Sequence, residues 1–175
     1  MNRSCKVITT CFHGRVVRPE TAMIGNPSCM ANHSQNFPTK DSILELLKLI
    51  LSEEISINPG VEVMDTIIVN NDTGWSRGND WLKSVDGTKT HSGKIIVLNR
   101  NNSGRSFGGY NEAFRKYKND YDYWIFTEDD ILINGDEYFS KSISEFKSDK
   151  EIGFLALQGI SNEGLNGQFG PEVIH

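Results

Sequence analysis

Three consecutive carboxylates, Glu128-Asp129-Asp130, are the residues of this sequence whose chemistry is easiest to name. They directly follow the apolar segment 121–127, and no basic residue stands among them. Adjacent like charges repel, so such a group is costly unless a cation or hydrogen-bond donors neutralise it. Carboxylate oxygens suit Mg²⁺ or Mn²⁺, and Mg²⁺ usually combines one or two carboxylates with substrate phosphates. The triplet therefore predicts a divalent-cation site, the alternative being a solvated turn before a helix that Asp136 or Glu137 supports.

The triplet follows the fourth predicted strand, and further polar residues follow each of the first three. They are Thr10 after the first strand, Asn71 and Asp72 after the second, and Asn102, Gly104 and Arg105 after the third. Ligands of open parallel sheets bind beyond the carboxyl ends of the strands, so these clusters predict a single cleft. Taken alone, an Asp in the pattern N-N-D-T-G more often organises a turn.

The segment from Gly104 to Asn111 reads G-R-S-F-G-G-Y-N. Adjacent glycines at the start of a helix let the backbone approach a ligand, and a helix N-terminus favours an anion. Arg105 could meet a phosphate with its planar guanidinium. The alternative is that Gly108-Gly109 allow tight helix–sheet packing and that Arg105 is a surface charge. The dinucleotide fingerprint G-x-G-x-x-G is not present after the first strand, where Cys11-Phe-His-Gly-Arg15 stands.

Alternating apolar runs and amphipathic segments predict the elements that position these residues. The predicted strands are Lys6–Phe12, Asp65–Val69, Lys94–Leu98, Tyr121–Thr127 and Ile152–Leu157. The predicted helices are one that Asp41 or Ser42 caps, with Ser42 and Glu45 as a capping box, a short one within Thr73–Gly93, one over Phe107–Lys118 and one over Asp136–Phe146. Continuous apolar strands between helices indicate an α/β fold with a mostly parallel sheet flanked by helices.

Composition excludes several classes of protein. The 175 residues, among them 9 Phe, 5 Tyr and 3 Trp, suffice for one globular domain with a core. A net charge of −5 without a basic stripe argues against a nucleic-acid partner. No apolar run reaches the roughly 18 residues of a membrane span, and residues 1–10 lack the apolar region of a signal peptide. Cys5, Cys11 and Cys29 are odd in number and fit no C-x-x-C spacing, which favours a reducing, cytoplasmic setting.

The long predicted loop 13–40 departs from the usual length of connections in a compact domain, which predicts a functional or mobile segment such as a lid. It carries His13, His33 and Cys29, close to Cys11. Their spacing is irregular for zinc, so no metal site is predicted there.

Together these features resemble the nucleotide-binding half of a GT-A glycosyltransferase, closest to the large family-2 type, from about residue 6 to residue 157. In that family a short first strand leads into the nucleotide pocket, as Val7-Ile-Thr-Thr10 does here. The acidic pair that contacts the base corresponds to Asn71-Asp72, with Asn in place of one Asp. The family's N-x-G segment and helical Asn are similar to Asn102-Ser-Gly104 and Gly108-Gly-Tyr-Asn111. Its D-x-D metal motif resembles Glu128-Asp129-Asp130, with Glu in the first place.

The resemblance implies a Rossmann-like GT-A nucleotide-diphospho-sugar transferase fold over residues 1–160, with 161–175 as the start or remnant of an acceptor-side segment. It implies a nucleotide-diphosphate sugar as donor and a Mn²⁺ or Mg²⁺ ion that Asp130 holds between the two phosphates. The residues that it assigns to the nucleotide are Thr10 and Asp72 near the base, Glu128 or Asp129 at the ribose or a metal-bound water, Arg105 at the leaving diphosphate, and Asn71, Asn102 and Gly104 beside them.

The resemblance further implies attack by an acceptor hydroxyl of a saccharide, lipid or protein, commonly with inversion, in the cytoplasm or at the periphery of a membrane. Inversion needs a general base, which in the family comes from the acceptor half; the late carboxylates here are Glu163 and Glu172. One alternative is a non-catalytic sugar-nucleotide-binding relative, or a fragment lacking the acceptor half. The other is a Mg²⁺-dependent nucleotidyl or phosphoryl transferase, although the related nucleotidyltransferases usually carry a glycine-rich, basic loop after the first strand.

Overall fold

A computed structural model of the protein describes residues 2–13, 39–132, 135–152, 154–156 and 172–174. Most of the predicted long loop, residues 14–38, and the candidate base Glu163 lie outside these ranges. The elements in chain order are β1 (Arg3–Thr10), α1 (Lys40–Ser56), β2 (Val63–Asp72), α2 (Ser76–Val85), β3 (Ile95–Asn101), α3 (Arg105–Tyr117), β4 (Tyr123–Glu128), α4 (Tyr138–Ser148), β5 (Phe154–Ala156) and β6 (Glu172–Ile174). None of the helices within this part of the chain is long and apolar enough to cross a membrane.

Four parallel strands form the main sheet, in the order β3-β2-β1-β4. The predicted α/β class with a parallel, helix-flanked sheet is confirmed, and the architecture is consistent with a Rossmann-like fold. The chain steps outward from β1 through β2 to β3, and α3 then returns it to the other side of β1, where β4 pairs. The strand order therefore reverses at β1, and a crevice beyond the carboxyl ends of β1 and β4 is where such sheets bind ligands.

Helices cover both faces of the sheet. Successive strand residues point to opposite faces, so Ile8 and Ile68 pack under α1 and α2, while Val7 and Ile67 pack under α3. Phe139 of α4 packs in a third cluster with Met64 and Ile125. Burial on both faces explains why the strands read as continuous apolar runs in the sequence.

The start of α1 differs from the prediction. Its N-cap is Thr39, whose hydroxyl accepts a hydrogen bond from the Ser42 backbone N–H at 3.1 Å. The predicted cap at Asp41 or Ser42 is wrong, and the predicted capping box is replaced by a hydrogen bond from Lys48 to Glu45. The threonine hydroxyl reaches the first turn from one residue before the helix, so the helix starts earlier than Ser42.

The start of α4 also differs. The helix begins at Tyr138, two residues later than predicted, and its N-cap Glu137 has φ +62° and no side-chain cap hydrogen bond. Asp136 does not cap the helix; its Oδ1 accepts from the backbone N–H of Asn58 at 3.0 Å. The carboxylate thus closes the α1–β2 connection against the start of α4.

The predicted fifth strand exists, but it does not join the parallel sheet. β5 covers Phe154–Ala156 and pairs antiparallel with β6 in a separate two-stranded sheet. The candidate base Glu172 is the first residue of β6, in the stretch predicted as an acceptor-side segment. An apolar run predicts a strand, whereas its pairing partner depends on a segment sixteen or more positions away in the chain.

Candidate functional site

Asp129 ties the carboxyl end of β4 to that of β1. Its Oδ2 accepts from the Thr10 hydroxyl at 2.6 Å, and the backbone N–H of Cys11 donates to the same carboxylate. Burial raises the pKa of Asp129, and these two donors oppose that shift because they favour the charged form. The middle carboxylate of the triplet therefore has hydrogen-bond partners within the protein.

Glu128 and Asp130 flank this inward-facing residue and are both exposed. Among the described residues, neither side chain forms a hydrogen bond or an ion pair. Because β4 ends at Glu128 and a turn follows, the two outer carboxylates stand at the carboxyl end of β4 while Asp129 anchors them. The triplet is thus an E-x-D arrangement with two free carboxylates.

The donor set at this position suits one kind of metal site. In the described ranges, no three or more His, Cys, Asp or Glu side chains are grouped so that they could hold a metal ion among themselves. Mg²⁺, however, keeps several waters and is usually held by one or two carboxylates together with substrate phosphates. Glu128 and Asp130 fit a phosphate-dependent cation site and do not fit a permanent all-protein one.

The β3–α3 loop reaches the same place. Asn102 donates from Nδ2 to the sulfur of Cys11 at 3.3 Å, so the loop spans the end of β2 and meets the end of β1. Gly104 and Arg105 both have positive φ, +78° and +51°. α3 starts at Arg105, two residues before the predicted start, and the arginine side chain is exposed. A non-glycine residue in this conformation is strained, and such strain is found preferentially at ligand-binding positions.

The glycine pair serves helix–sheet packing, the second of its two predicted roles. A Cβ on Gly109 would lie 2.6 Å from Cγ2 of Thr9, and a Cβ on Gly108 would lie 2.1 Å from the carbonyl oxygen of Ser103. Neither distance leaves room for a methyl group. The absence of two side chains therefore lets α3 approach β1 and the preceding loop.

Arg100 is a residue that the sequence analysis missed. Its guanidinium donates to Oδ1 of Asn71 and to the carbonyl oxygen of Ser103, both at 2.5 Å. It thereby fixes the predicted nucleotide-contacting amide of Asn71 and holds the loop that leads into α3. The only signal for it is register, because Asn71 and Arg100 are partners across β2 and β3.

Asp72 organises a turn, which is the alternative interpretation of the N-N-D-T-G pattern. Its Oδ1 accepts from the Gly74 backbone N–H at 2.7 Å and from Nδ2 of Asn79 at 2.8 Å. These two hydrogen bonds lower the pKa of Asp72, and the one from Asn79 has the larger effect. Asn79 and Asn99 in turn accept from the buried amide of Asn70.

The predicted clusters therefore fall into two groups. Hydrogen bonds join Thr10, Cys11, Asn102 and Asp129 at the switch point of the sheet. Asp72 belongs to a second group around α2, where an open depression of about 430 Å³ is lined by Asp72, Asn79, Asp80, Lys83, Asp86, Val97 and Asn99.

Comparison with protein-family models, with curated proteins and with solved structures finds no match to this chain. The chemistry of the site must therefore be inferred from its own geometry.

Proposed function

We propose that this chain is a divalent-metal-dependent glycosyltransferase of the GT-A type, which moves a sugar from a nucleotide-diphosphate donor to an acceptor hydroxyl, with inversion. The observation that carries the proposal is the E-x-D arrangement at the end of β4. Two exposed carboxylates, Glu128 and Asp130, stand on either side of the anchored Asp129, at the point where the strand order reverses. This is the position where open parallel sheets bind nucleotides.

Different residues of this chain bind different parts of the donor. Glu128 and Asp130 hold the cation–diphosphate group, and a bound Mg²⁺ or Mn²⁺ supplies neutralisation of the negative charge that develops on the leaving diphosphate. The N-terminus of α3 favours an anion nearby, because its first backbone N–H groups have no partner within the helix. Arg105, the first residue of that helix, brings a permanent positive charge to the same end.

The nucleoside part of the donor extends toward β2 and α2. Asn71 is oriented by Arg100, and the depression beside Asp72 offers carboxylate and amide groups for hydrogen bonds. Attack by the acceptor hydroxyl requires a general base, for which Glu163 and Glu172 are the candidates on this chain.

Thermal unfolding in the presence of UDP, GDP or dTDP, each with Mn²⁺ or with EDTA, tests the proposal. A ligand at about a hundred times its dissociation constant adds roughly 2.7 kcal/mol, which raises the melting temperature of a domain this size by several degrees. We expect one diphosphate to give this shift with Mn²⁺ and to lose it with EDTA. Asp130→Asn and Glu128→Gln should abolish it.

The control is Asp120→Asn, the same change of charge at an exposed residue in the turn after α3. It should leave the shift intact. Product analysis then identifies the reaction, because glycosyl transfer releases a nucleoside diphosphate and nucleotidyl transfer releases pyrophosphate. A wild-type chain that no nucleotide stabilises would contradict the proposal.

A further inference from the structure

An aromatic stripe runs along the junction of α3 and β4. Tyr110 lies 5.1 Å from Phe126 and 6.0 Å from Phe107, measured between ring centroids, and Phe114 lies 5.2 Å from Trp124. Phe107 is 84% exposed and Phe126 is 38% exposed. Single exposed apolar side chains are ordinary on protein surfaces, but these belong to one contiguous row of rings.

The end of this stripe that lies nearest the carboxyl end of β4 adjoins the candidate metal site. Phe126 precedes Glu128 by two residues on β4, so the two side chains emerge on the same face of the strand. Burial, and then the negative charge of Glu128, Asp130 and Asp129, raises the pKa of the neighbouring Tyr110. We call Phe107, Tyr110 and Phe126 the aromatic platform.

Two rings of the platform, Phe126 and Tyr110, are held in place before any ligand arrives. Phe126 is stacked on Trp124, with 11° between the ring planes and 5.9 Å between the centroids, and Tyr110 packs on it at a tilt of 51°. Ring surfaces fixed in this way bind with little loss of side-chain freedom.

The chemistry of the platform and its border matches a sugar ring. An aromatic face carries negative charge density that attracts the C–H groups on the apolar face of a pyranose. The neighbouring carboxylates can only accept hydrogen bonds, so they suit the hydroxyl groups of a sugar, which donate them. An acidic polymer or a nucleic acid would meet the two exposed carboxylates, Glu128 and Asp130, in a chain of net charge −5, which disfavours both.

We propose that the acceptor is a neutral saccharide and that its terminal sugar ring docks on the aromatic platform, beside the E-x-D carboxylates. The assignment rests on the proposed glycosyltransferase function, because it takes the metal–diphosphate group to be bound at Glu128 and Asp130. It adds the class of the second substrate and the residues that recognise it.

Saturation-transfer NMR on the full chain tests the assignment. The sample contains the protein, Mg²⁺ and the stabilising nucleoside diphosphate, without Mn²⁺. The probes are neutral gluco-, galacto- and manno-oligosaccharides. We expect one series to bind with transfer concentrated on the C–H groups of one ring. Phe107→Ala should weaken that binding at least tenfold, and Phe107→Trp should restore it. Since Phe107 is exposed, neither change should disturb the fold.

Phe114→Ala is the matched control, because Phe114 belongs to the same helix stripe but pairs with Trp124, farther down β4 from the carboxylates. It should leave saccharide binding unchanged. Binding of no saccharide by a chain that still binds the diphosphate with metal would overturn the acceptor assignment and leave the proposed function standing. Weaker diphosphate binding in Phe107→Ala would also overturn the acceptor assignment, because the platform would then contact the base of the nucleotide. A dimer that Phe107→Ala dissociates would overturn it as well, because the platform would then be an interface between two copies of the chain. Loss of metal-dependent diphosphate binding itself would instead contradict the proposed function.

Discussion

Within the acidic triplet, each carboxylate has a different environment. Asp129 is turned inward and accepts from Thr10 and Cys11, whereas Glu128 and Asp130 face solvent. From the sequence, the resemblance assigns Asp130 to the cation and leaves Glu128 or Asp129 at the ribose or a metal-bound water, because the backbone geometry at the strand end is needed to tell those two apart. The structure separates one anchoring carboxylate from two that are available to a cation.

At this scale the hydrogen bond from Thr10 to Asp129 gives a prediction about pH. Because the pKa of Asp129 is raised in the folded state, the folded chain keeps its proton to a higher pH than the unfolded chain, whose Asp pKa is about 3.9. The unfolding free energy contributed by this group therefore falls as pH rises through that interval. Thr10→Val removes a donor to the charged form, so it raises the pKa further. We expect it to cost about 1.5 kcal/mol at pH 7 and clearly less at pH 4, measured by urea unfolding.

Thr127→Val is the control for this experiment. The Thr127 hydroxyl donates to the carbonyl oxygen of Val7 at 3.3 Å, and neither group titrates. Its cost should be the same at both pH values. If the cost of Thr10→Val also stayed constant with pH, the hydrogen bond to a charged Asp129 would be refuted.

At the scale of elements, the sequence predicts what local pattern determines. The parallel strands follow from continuous apolar runs, and the helix within residues 73–93 is α2. The start of α1 is missed because it depends on which side chain reaches a free backbone N–H, and the start of α4 is missed because its N-cap, Glu137, takes a positive φ and makes no side-chain cap hydrogen bond. The pairing of β5 with β6 and the contact of Arg100 with Asn71 depend on register between distant segments, which periodicity does not contain.

The first turn of α3 gives the prediction at this scale. Arg105 adopts φ +51°, a conformation that glycine takes without strain, so Arg105→Gly should raise the unfolding free energy by about 1 kcal/mol. If its guanidinium meets the diphosphate, the same change should weaken affinity for the nucleoside diphosphate about tenfold. Urea unfolding and calorimetric titration measure the two effects separately.

Glu137→Gly is the matched variant, because Glu137 also has a positive φ, +62°, at the start of a helix on another part of the chain. It should give a similar gain in stability with no change in affinity. Unchanged affinity in Arg105→Gly would leave Arg105 as the surface charge of the alternative interpretation.

At the scale of the whole molecule, a buried ion pair joins the sheet to two helices. Lys6 of β1 is fully buried and donates to Glu54 of α1, which also accepts from Thr66 of β2 at 3.4 Å. The Lys6 ammonium lies 5.6 Å from the ring centroid of Tyr138 in α4. Burial lowers the pKa of Lys6, and the charge of Glu54 opposes that shift. Four elements thus meet at a buried ammonium whose charge is neutralised by Glu54.

This pair gives a prediction with two opposite arms. Glu54→Gln leaves the lysine charge unpaired, so it should cost about 3–5 kcal/mol at pH 7, whereas Lys6→Met combined with Glu54→Leu should come within about 1 kcal/mol of wild type or exceed it. Without Glu54 the folded-state pKa of Lys6 falls further, and the unfolded chain keeps its proton to higher pH. The unfolding free energy of Glu54→Gln should therefore recover as pH rises toward 9.5.

Glu45→Gln serves as the control for both arms, because it breaks the exposed pair with Lys48 on the same helix, 2.8 Å apart. That pair is open to solvent, so its loss should have no measurable effect on urea unfolding. Equal stability of Glu54→Gln and Glu45→Gln would contradict the buried-pair account. Retention of nucleotide-induced stabilisation in the apolar double variant would show that the pair supports the fold and that the proposed site at the carboxyl end of β1 works without it.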